Sequence, residues 1–173
     1  MGSRELRIEV ASFADAEKVL EFFRSVGSQT EFLSIGASGL DLSPKEMGNY
    51  LARLSDSEDE LFLLAYLDED LAGVCSVTVD HRPRVTHIGD VFVAVDQSYW
   101  GHGLGSALFE EMLIWAQGYS PLRRLQLTVQ ARNEGAIAMY QKFDFVEEGR
   151  QERGARLSDG SFVDVLVMGR LID

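Results

Sequence analysis

The sequence predicts an α/β fold in which helices cover both faces of a mixed sheet. One observation is the order of segments along the 173 residues: strand, two helices, three strands, helix, strand, helix and two strands. Helices inserted between the later strands require part of the sheet to be parallel, and such sheets are covered on both faces. A second observation is that no repeat, low-complexity tract or linker interrupts the chain. We therefore predict one domain over residues 1–173.

The spacing of apolar residues predicts each element in turn. Strands are predicted at residues 6–10, 61–67, 71–79, 85–95 and 125–129, from 145 onwards, and at 162–168. Helices are predicted at residues 15–24, from 43 to about 54, at 104–117 and at 134–142. Ser43 and Pro44 followed by Glu46 are typical of a helix start. Residues 27–42 are rich in Gly and Ser and predict a loop, and Asp159-Gly160 predicts a hairpin turn.

Composition and charge narrow the classes of partner. Apolar residues make up 46% of the chain, but no apolar run reaches the roughly 18 residues of a membrane span, so we expect no membrane partner. The net charge of −12 makes nucleic acid a poor partner. The same charge would attract a cationic substrate, or it serves solubility alone; both interpretations stay open. Residues 1–10 lack a signal-peptide core and Cys75 is the only cysteine, so we expect a reducing, cytoplasmic location.

The most informative segment is a glycine-rich turn. A predicted strand ending at Val95 leads to Gly101, Gly103 and Gly105 and then directly into a helix. Glycines permit a tight turn and let a ligand approach the backbone closely. The start of a helix presents unpaired N–H groups and a partial positive charge. The turn therefore predicts an anion site suited to a pyrophosphate.

Three other interpretations of this turn compete with an anion site. A dinucleotide-binding turn has the pattern G-x-G-x-x-G and an acidic residue about 20 positions later. Here the third glycine comes one position early, and Pro-Leu-Arg-Arg occupies residues 121–124. A P-loop requires a Lys that is absent after these glycines. A tight turn without any ligand is the remaining alternative.

The residues of this turn, Trp-Gly-His-Gly-Leu-Gly at 100–105, resemble the pyrophosphate-binding motif of GNAT-superfamily N-acetyltransferases, Gln/Arg-x-x-Gly-x-Gly/Ala. Trp100 stands where the family usually has Gln or Arg. Residues 133–149 resemble the family element N-x-x-A-x-x-x-Y-x-K-x-G-F, with Asp144 in place of the glycine. Since Asp tolerates left-handed backbone better than most residues, we expect the turn to be retained. Residues 159–168 are also similar to bacterial members, so the resemblance covers essentially the whole chain.

The resemblance implies a seven-stranded, mostly antiparallel sheet with about four helices, split where coenzyme A binds. It implies acetyl-CoA as the co-substrate, lying between the strand that ends near Val95 and the strand that starts near Leu125. The residues it assigns to the cofactor are Val93, Ala94 and Val95 for the pantetheine arm, Trp100, Gly101, His102, Gly103, Leu104, Gly105 and Ser106 around the pyrophosphate, and Asn133, Tyr140 and Lys142. A plain helix cap at Asn133 and a solvated Lys142 are the alternatives for those two residues.

The implied reaction is attack of an amine on a thioester. The amine must lose a proton, and the departing thiolate benefits from an acid. In the family, Tyr140 is the candidate acid; its alternative role is a buried aromatic. We favour Asp90 as the base, because it interrupts an apolar strand where burial of a carboxylate is costly and where relatives often carry Glu. A structural hydrogen bond is its alternative. Asp164 interrupts another strand, and either acceptor binding or a salt bridge to an Arg would explain it.

Other reactive side chains are set aside. Cys75 could carry an acyl group, but its apolar strand is an ordinary buried setting. His81, His87 and His102 have no metal-ligand spacing with Cys or acidic partners, so we predict no metal.

The leading hypothesis is direct transfer of the acetyl group to a primary amine in a ternary complex. Residues 27–42 and the second helix would shape the acceptor pocket, where Glu31, Asp41 and Glu46 make a cationic acceptor reasonable. The acceptor could be a small amine, an antibiotic, a polyamine or a protein amine. A homodimer is expected by analogy with the family. The alternatives are a non-catalytic acyl-CoA-binding sensor and a nucleotide-binding oxidoreductase.

Overall fold

The periodic segments of the chain form seven strands and four helices in a computed structural model that describes residues 4–173. Residues 1–3, part of the stretch for which we expect no signal segment, lie outside the described residues. The strands are β1 (Leu6–Val10), β2 (Leu61–Leu67), β3 (Asp70–Val79), β4 (Ile88–Val95), β5 (Arg124–Gln130), β6 (Val146–Arg156) and β7 (Phe162–Leu171). The helices are α1 (Ala16–Gln29), α2 (Pro44–Ser55), α3 (Leu104–Gly118) and α4 (Glu134–Lys142).

The strands form one sheet in the order β1-β2-β3-β4-β5-β7-β6. The central pair, β4 and β5, is parallel, and the neighbours on either side pair antiparallel. The helix α3 connects the two parallel strands, as a crossover between parallel neighbours requires. The prediction of a mixed, mostly antiparallel seven-stranded sheet with four helices is confirmed.

Two apolar cores lie on the two faces of the sheet. On one face Leu108, Phe109 and Met112 of α3 pack with residues of α4. On the other face α1 and α2 cover the sheet with side chains such as Val19 and Leu51. Because successive side chains of a strand point to opposite faces, β2 contributes to both cores and is buried along nearly all its length.

The start of α2 shows how local sequence fixes an element boundary. The Ser43 hydroxyl accepts a hydrogen bond from the Glu46 N–H at 3.1 Å, and the Glu46 carboxylate accepts one from the Ser43 N–H at 3.3 Å. These two bonds pair N–H groups that the first turn of a helix leaves without partners. Pro44 needs no such partner at the first helical position.

Two predicted boundaries were wrong. The strand β4 begins at Ile88 rather than at residue 85, because residues 83–87 form turns closed by hydrogen bonds from the N–H groups of Val85 and Ile88. The helix α1 continues to Gln29 rather than ending near residue 24. Gly27 lies within the helix, where an added Cβ would come within 2.1 Å of the Gly36 carbonyl oxygen. This glycine therefore serves close packing of the following loop against α1 and does not end the helix.

Among residues 4–173, we found no helix with the length and apolar character needed to cross a membrane.

Candidate active site

The sheet opens between its two parallel strands. β4 and β5 pair only at their beginnings, where Ile88, Gly89 and Asp90 lie opposite residues 124–126. Beyond these positions β4 runs on to Val95 and β5 to Gln130 without pairing with each other. A cleft of about 1470 Å³ lies at this opening. The split in the sheet that the family resemblance implied is confirmed.

The glycine-rich turn lies at one end of this cleft. Gly101 and Gly103 have φ angles of 80° and 78°, in the left-handed region that glycine adopts without steric cost. The N–H of Ala107 donates to the Gly103 carbonyl, and within residues 4–173 no backbone hydrogen bond occupies the N–H groups of residues 101–106. An added Cβ on Gly101 or Gly103 would meet nothing within 4 Å, so both backbones are open to a ligand. This geometry fits the pyrophosphate of coenzyme A.

The third glycine has a different role. A Cβ on Gly105 would lie 3.0 Å from the Met139 sulfur, so this glycine lets α3 approach α4 closely. The close approach holds α4, and with it Tyr140, beside the glycine-rich turn.

Trp100 contacts the backbone of the strand that precedes the turn. Its indole Nε1–H donates to the Val95 carbonyl oxygen at 2.8 Å, and the side chain lines the cleft. The Val95 carbonyl thus already accepts one hydrogen bond. Along Val93 to Val95, β4 pairs with β3 on one side, and the backbone groups on its other side face the cleft.

Tyr140 lies at the wall of the cleft on α4. Its side chain is only 7% exposed, and its ring packs at 5.3 Å from Phe109 and 6.3 Å from Phe145. We find no hydrogen-bond partner for its hydroxyl in residues 4–173. In that part of the chain every side-chain oxygen that is fully shielded from solvent has a hydrogen-bond partner. The Tyr140 hydroxyl is therefore accessible, and it opens to the cleft. Burial, with a smaller effect of Cys75, raises the pKa of Tyr140, so the phenol stays protonated at neutral pH.

Most of the sequence-predicted cofactor residues line this cleft. They are Val93, Ala94, Val95, Trp100, Gly101, Gly103, Leu104, Gly105, Ser106, Asn133 and Tyr140. The Asn133 side chain also caps α4, accepting from the Ala136 N–H at 3.3 Å. His102 and Lys142 are not among the lining residues, and the Lys142 Nζ lies 5.7 Å from the Phe143 ring centre.

Asp90 does not have the surroundings that we expected. It is exposed, its carboxylate accepts a hydrogen bond from Gln126 Nε2 at 2.8 Å, and it does not line the cleft. The expectation of a buried carboxylate was wrong, because α1 and α2 cover Phe92 and Ala94 on this face of β4 but leave Asp90 open. Its role as a base stays a prediction.

Asp164 forms the salt bridge that we gave as one of its two explanations. Its carboxylate accepts from Arg150 Nε at 2.7 Å and from the Arg153 N–H at 3.3 Å. Both contacts lower the pKa of Asp164, and the hydrogen bond from Arg150 has the larger effect. The interaction joins β6 to β7, beside the cleft residue Val165.

The sequence did not reveal the network that forms the outer wall of the cleft. The buried Gln130 side chain donates from Nε2 to the Glu31 carbonyl at 2.7 Å and accepts from Arg132 Nε at 2.8 Å. The Arg132 guanidinium lies 4.7 Å from the Phe32 ring centre, and the Glu31 carboxylate accepts from the Ser158 N–H at 2.8 Å. Apart from the Gln130–Arg132 hydrogen bond, these contacts join residues about 100 positions apart or more, so no local pattern could predict them. The polar Gln130 at the end of β5 was the only local signal.

Cys75 is fully buried, and burial raises the pKa of its thiol to about 12. The thiolate required of an acyl carrier is therefore scarce at neutral pH, which supports setting this residue aside.

The fold brings acidic partners to His81 that its spacing in the sequence did not indicate, and the absence of a metal stays a prediction. The His81 Nε2 lies 3.3 Å from an Asp59 oxygen and 3.5 Å from a Glu60 oxygen, because the β2–β3 hairpin brings residues 59–60 beside residue 81. Glu60 also accepts from Arg53 and from the Val79 N–H, so this cluster ties α2 to the hairpin.

The chain is similar to known proteins in both sequence and fold. The model of the acetyltransferase (GNAT) family matches residues 29–145, well over half of the chain. The L-amino acid N-acetyltransferase AaaT of Escherichia coli is 34% identical over 119 residues, which cover 69% of this chain and 73% of that protein.

Solved structures of acetyltransferases are also similar to this chain. A GNAT-family acetyltransferase from Streptococcus pneumoniae is 46% identical, with a TM-score of 0.95 over 97% of this chain and 100% of its own. The yncA protein of Salmonella typhimurium, solved with its cofactor acetyl-CoA, has the same fold at 17% identity, with a TM-score of 0.79 over 97% of this chain and 94% of its own. Neither a non-catalytic sensor nor an oxidoreductase is supported by these relatives. The chain belongs to the GNAT family of acetyltransferases, and it is an N-acetyltransferase that takes its acetyl group from acetyl-CoA.

Proposed function

We propose that the enzyme acetylates the primary amine of a small acceptor by direct attack within a ternary complex, with Tyr140 as the general acid. The observation that carries this proposal is the Tyr140 hydroxyl, which opens to the cleft from an otherwise buried ring. Acetyl-CoA supplies the thioester that the amine attacks. The chain's own residues hold that thioester, exclude water around it and manage two protons.

Backbone groups position the cofactor in this proposal. The open N–H groups of residues 101–106 would bind the pyrophosphate, and the edge of β4 from Val93 to Val95 would hold the pantetheine arm. An arm held along this edge lies between β4 and α4, and so passes Tyr140. His102 and Lys142 would add contacts only at the rim of the site, since neither lines the cleft.

Tyr140 would protonate the departing thiolate. Its raised pKa keeps the proton on the phenol oxygen until the sulfur develops negative charge. For the proton that the amine loses, Asp90 is the proposed base. Because it is exposed and lies outside the cleft lining, it would act through water.

The acceptor that we propose is an amino acid. The E. coli relative named as an L-amino acid N-acetyltransferase supports this class. The cleft lining also includes Arg132 and Arg156, and a guanidinium is well suited to bind a carboxylate. Arg132 is oriented for such a role by Gln130 and by the Phe32 ring.

The decisive experiment replaces Tyr140 by Phe, which keeps the ring packing and removes only the hydroxyl. We expect kcat to fall by about 10²–10⁴-fold, the usual contribution of a general acid, while the Kd for acetyl-CoA stays unchanged. Tyr119, 78% exposed at the far end of α3, provides the matched control as Tyr119→Phe. A wild-type kcat in Tyr140→Phe would contradict the assignment. Initial-rate plots that intersect, rather than run parallel, would support the ternary complex.

The homodimer and the cytoplasmic location stay predictions. Light scattering of the purified protein and fractionation of cells that express it are the measurements that test them.

A further inference from the structure

We propose that a second, smaller cavity beside the cleft binds the side chain of the acceptor, and that it selects an apolar side chain carrying one hydrogen-bonding atom. This inference rests on the proposed acetylation of amino acids and names which of them the enzyme prefers. The cavity has a volume of about 260 Å³ and lies on the face of the sheet that α1 and α2 cover. Ser34, Ile35 and Phe92 line both this cavity and the cleft, so the two spaces adjoin.

The floor of the cavity is formed by three neighbouring strands. Phe62 of β2 lies opposite Ser76 of β3, and Ser76 lies opposite Phe92 of β4. All three side chains line the cavity. A small residue between two phenylalanines leaves a depression in the sheet surface, so the position of Ser76 sets the depth of the cavity.

The floor of the cavity carries a buried hydroxyl, that of Ser76. Ser76 is 7% exposed, and we find no hydrogen bond from its hydroxyl to any residue in the described range 4–173. In that range every fully buried side-chain oxygen has a hydrogen-bond partner, so the unpaired Ser76 oxygen must be accessible from the cavity. A hydroxyl this deeply buried is normally paired with a water or a ligand. The floor therefore offers one hydrogen bond to whatever fills the cavity.

Apart from the hydroxyl groups of Ser34 and Tyr50, the walls are apolar. Met47 and Tyr50 of α2 line one side, and Leu40 and Leu42 of the preceding loop line another. No charged side chain lines this cavity among residues 4–173, so a charged group entering it would lose part of its hydration and gain no counter-ion. The cavity thus discriminates against acceptors such as glutamate and lysine.

The size of the cavity indicates what occupies it. Pockets that enclose a whole ligand have volumes of about 300–1,000 Å³, so this cavity suits a part of a ligand, such as one side chain. Phe92 is flanked along β4 by Val91 and Val93, which line the cleft. A side chain seated beside Phe92 would therefore leave its own amine in the cleft, facing the edge of β4 that we assign to the cofactor arm.

The test compares acceptors that differ by one atom or one charge. We expect kcat/KM to be higher for L-tyrosine than for L-phenylalanine, and higher for both than for L-glutamate and L-lysine. Ser76→Val should reduce the tyrosine-to-phenylalanine ratio about fivefold, the equivalent of about 1 kcal/mol for one neutral hydrogen bond. Thr78→Val is the matched control, since Thr78 lies two residues further along the same face of β3 and does not line the cavity. It should leave the ratio unchanged.

A binding measurement keeps this inference separate from the proposed function. Calorimetry with L-tyrosine and L-glutamate tests the subsite even if neither is acetylated. Failure to acetylate any amine would contradict the proposed function alone. Equal or tighter binding of L-glutamate, or equal effects of Ser76→Val and Thr78→Val, would overturn the subsite. Leu42→Ala, at the 37%-exposed rim, gives a second variant with little risk to folding, and it should alter relative acceptor affinities without changing the Kd for acetyl-CoA.

Discussion

At the scale of single residues, burial decides which groups are charged. Cys75 and Tyr140 both lie in the core between the sheet, α3 and α4, and burial raises the pKa of each. For Cys75 this makes the thiol inert, whereas for Tyr140 it preserves the proton of the candidate acid. Asp90, by contrast, is exposed, so its reactivity depends on its position and not on burial.

The burial of Cys75 predicts a loss of stability in alkali. Burial raises its pKa from the ordinary value of 9.0 to about 12, so this thiol leaves the free energy of unfolding unaffected below pH 9 and lowers it as the pH rises toward 12. This thiol contributes up to about 1.4 kcal/mol per pH unit to that fall. Denaturant unfolding of the wild type and Cys75→Ala between pH 7 and about pH 11 measures the difference in slope. Parallel profiles for the two proteins would show that the thiol does not titrate in this way.

Asp90→Asn tests the candidate base. If the carboxylate accepts the amine proton through water, kcat/KM for the amine should fall by about 10²-fold, while the Kd for acetyl-CoA stays unchanged. Asp56→Asn, an exposed carboxylate at the end of α2, is the control. Activity within twofold of the wild type would leave Asp90 with only its hydrogen bond to Gln126.

At the scale of elements, the turn between β4 and α3 brings backbone and helix geometry together. Gly101 and Gly103 take left-handed conformations, while Gly105 allows close packing against α4. The same short segment thus opens the N–H groups for an anion and sets the distance between the two helices that flank the cleft. The hydrogen bond of the Trp100 indole links this turn to the end of β4.

Gly103→Ala separates the two functions of this turn. The added methyl meets no atom within 4 Å, so stability should fall by only about 1–2 kcal/mol, the cost of a left-handed conformation. The Kd for acetyl-CoA should rise at least tenfold, because the methyl projects from the backbone that approaches the pyrophosphate. Gly118→Ala, at the opposite end of α3, is the matched control and also has an open Cβ position. Equal affinities in the two variants, measured by calorimetry, would place the anion elsewhere.

At the scale of the whole molecule, one sheet joins two apolar cores. The strands β2, β3 and β4 contribute side chains to both cores, so neither core can lose its packing without disturbing the other. The single domain that we expected from the sequence is consistent with this arrangement and stays a prediction for unfolding experiments.

Matched substitutions in the two cores test this expectation. Leu64 and Leu125 are fully buried, one in each core. Leu64→Ala and Leu125→Ala should each lower the free energy of unfolding by about 2–5 kcal/mol. Each should also shift one cooperative transition seen at the same denaturant concentration by circular dichroism and by tryptophan fluorescence. Two separated transitions in either variant would indicate independently unfolding parts.

The sequence by itself determined the elements, their order and the glycine-rich turn, because these depend on local periodicity, caps and glycines. It also placed Tyr140 and Asn133 on or beside α4, where both line the cleft. Only the tertiary structure decided that Asp90 is exposed, that Gln130 ties the chain at Glu31 to β5, and that Ser76 lies on the floor of a separate cavity. These facts depend on which residues distant in sequence come to cover a given position, and neither hydrophobic alternation nor turn chemistry carries that information.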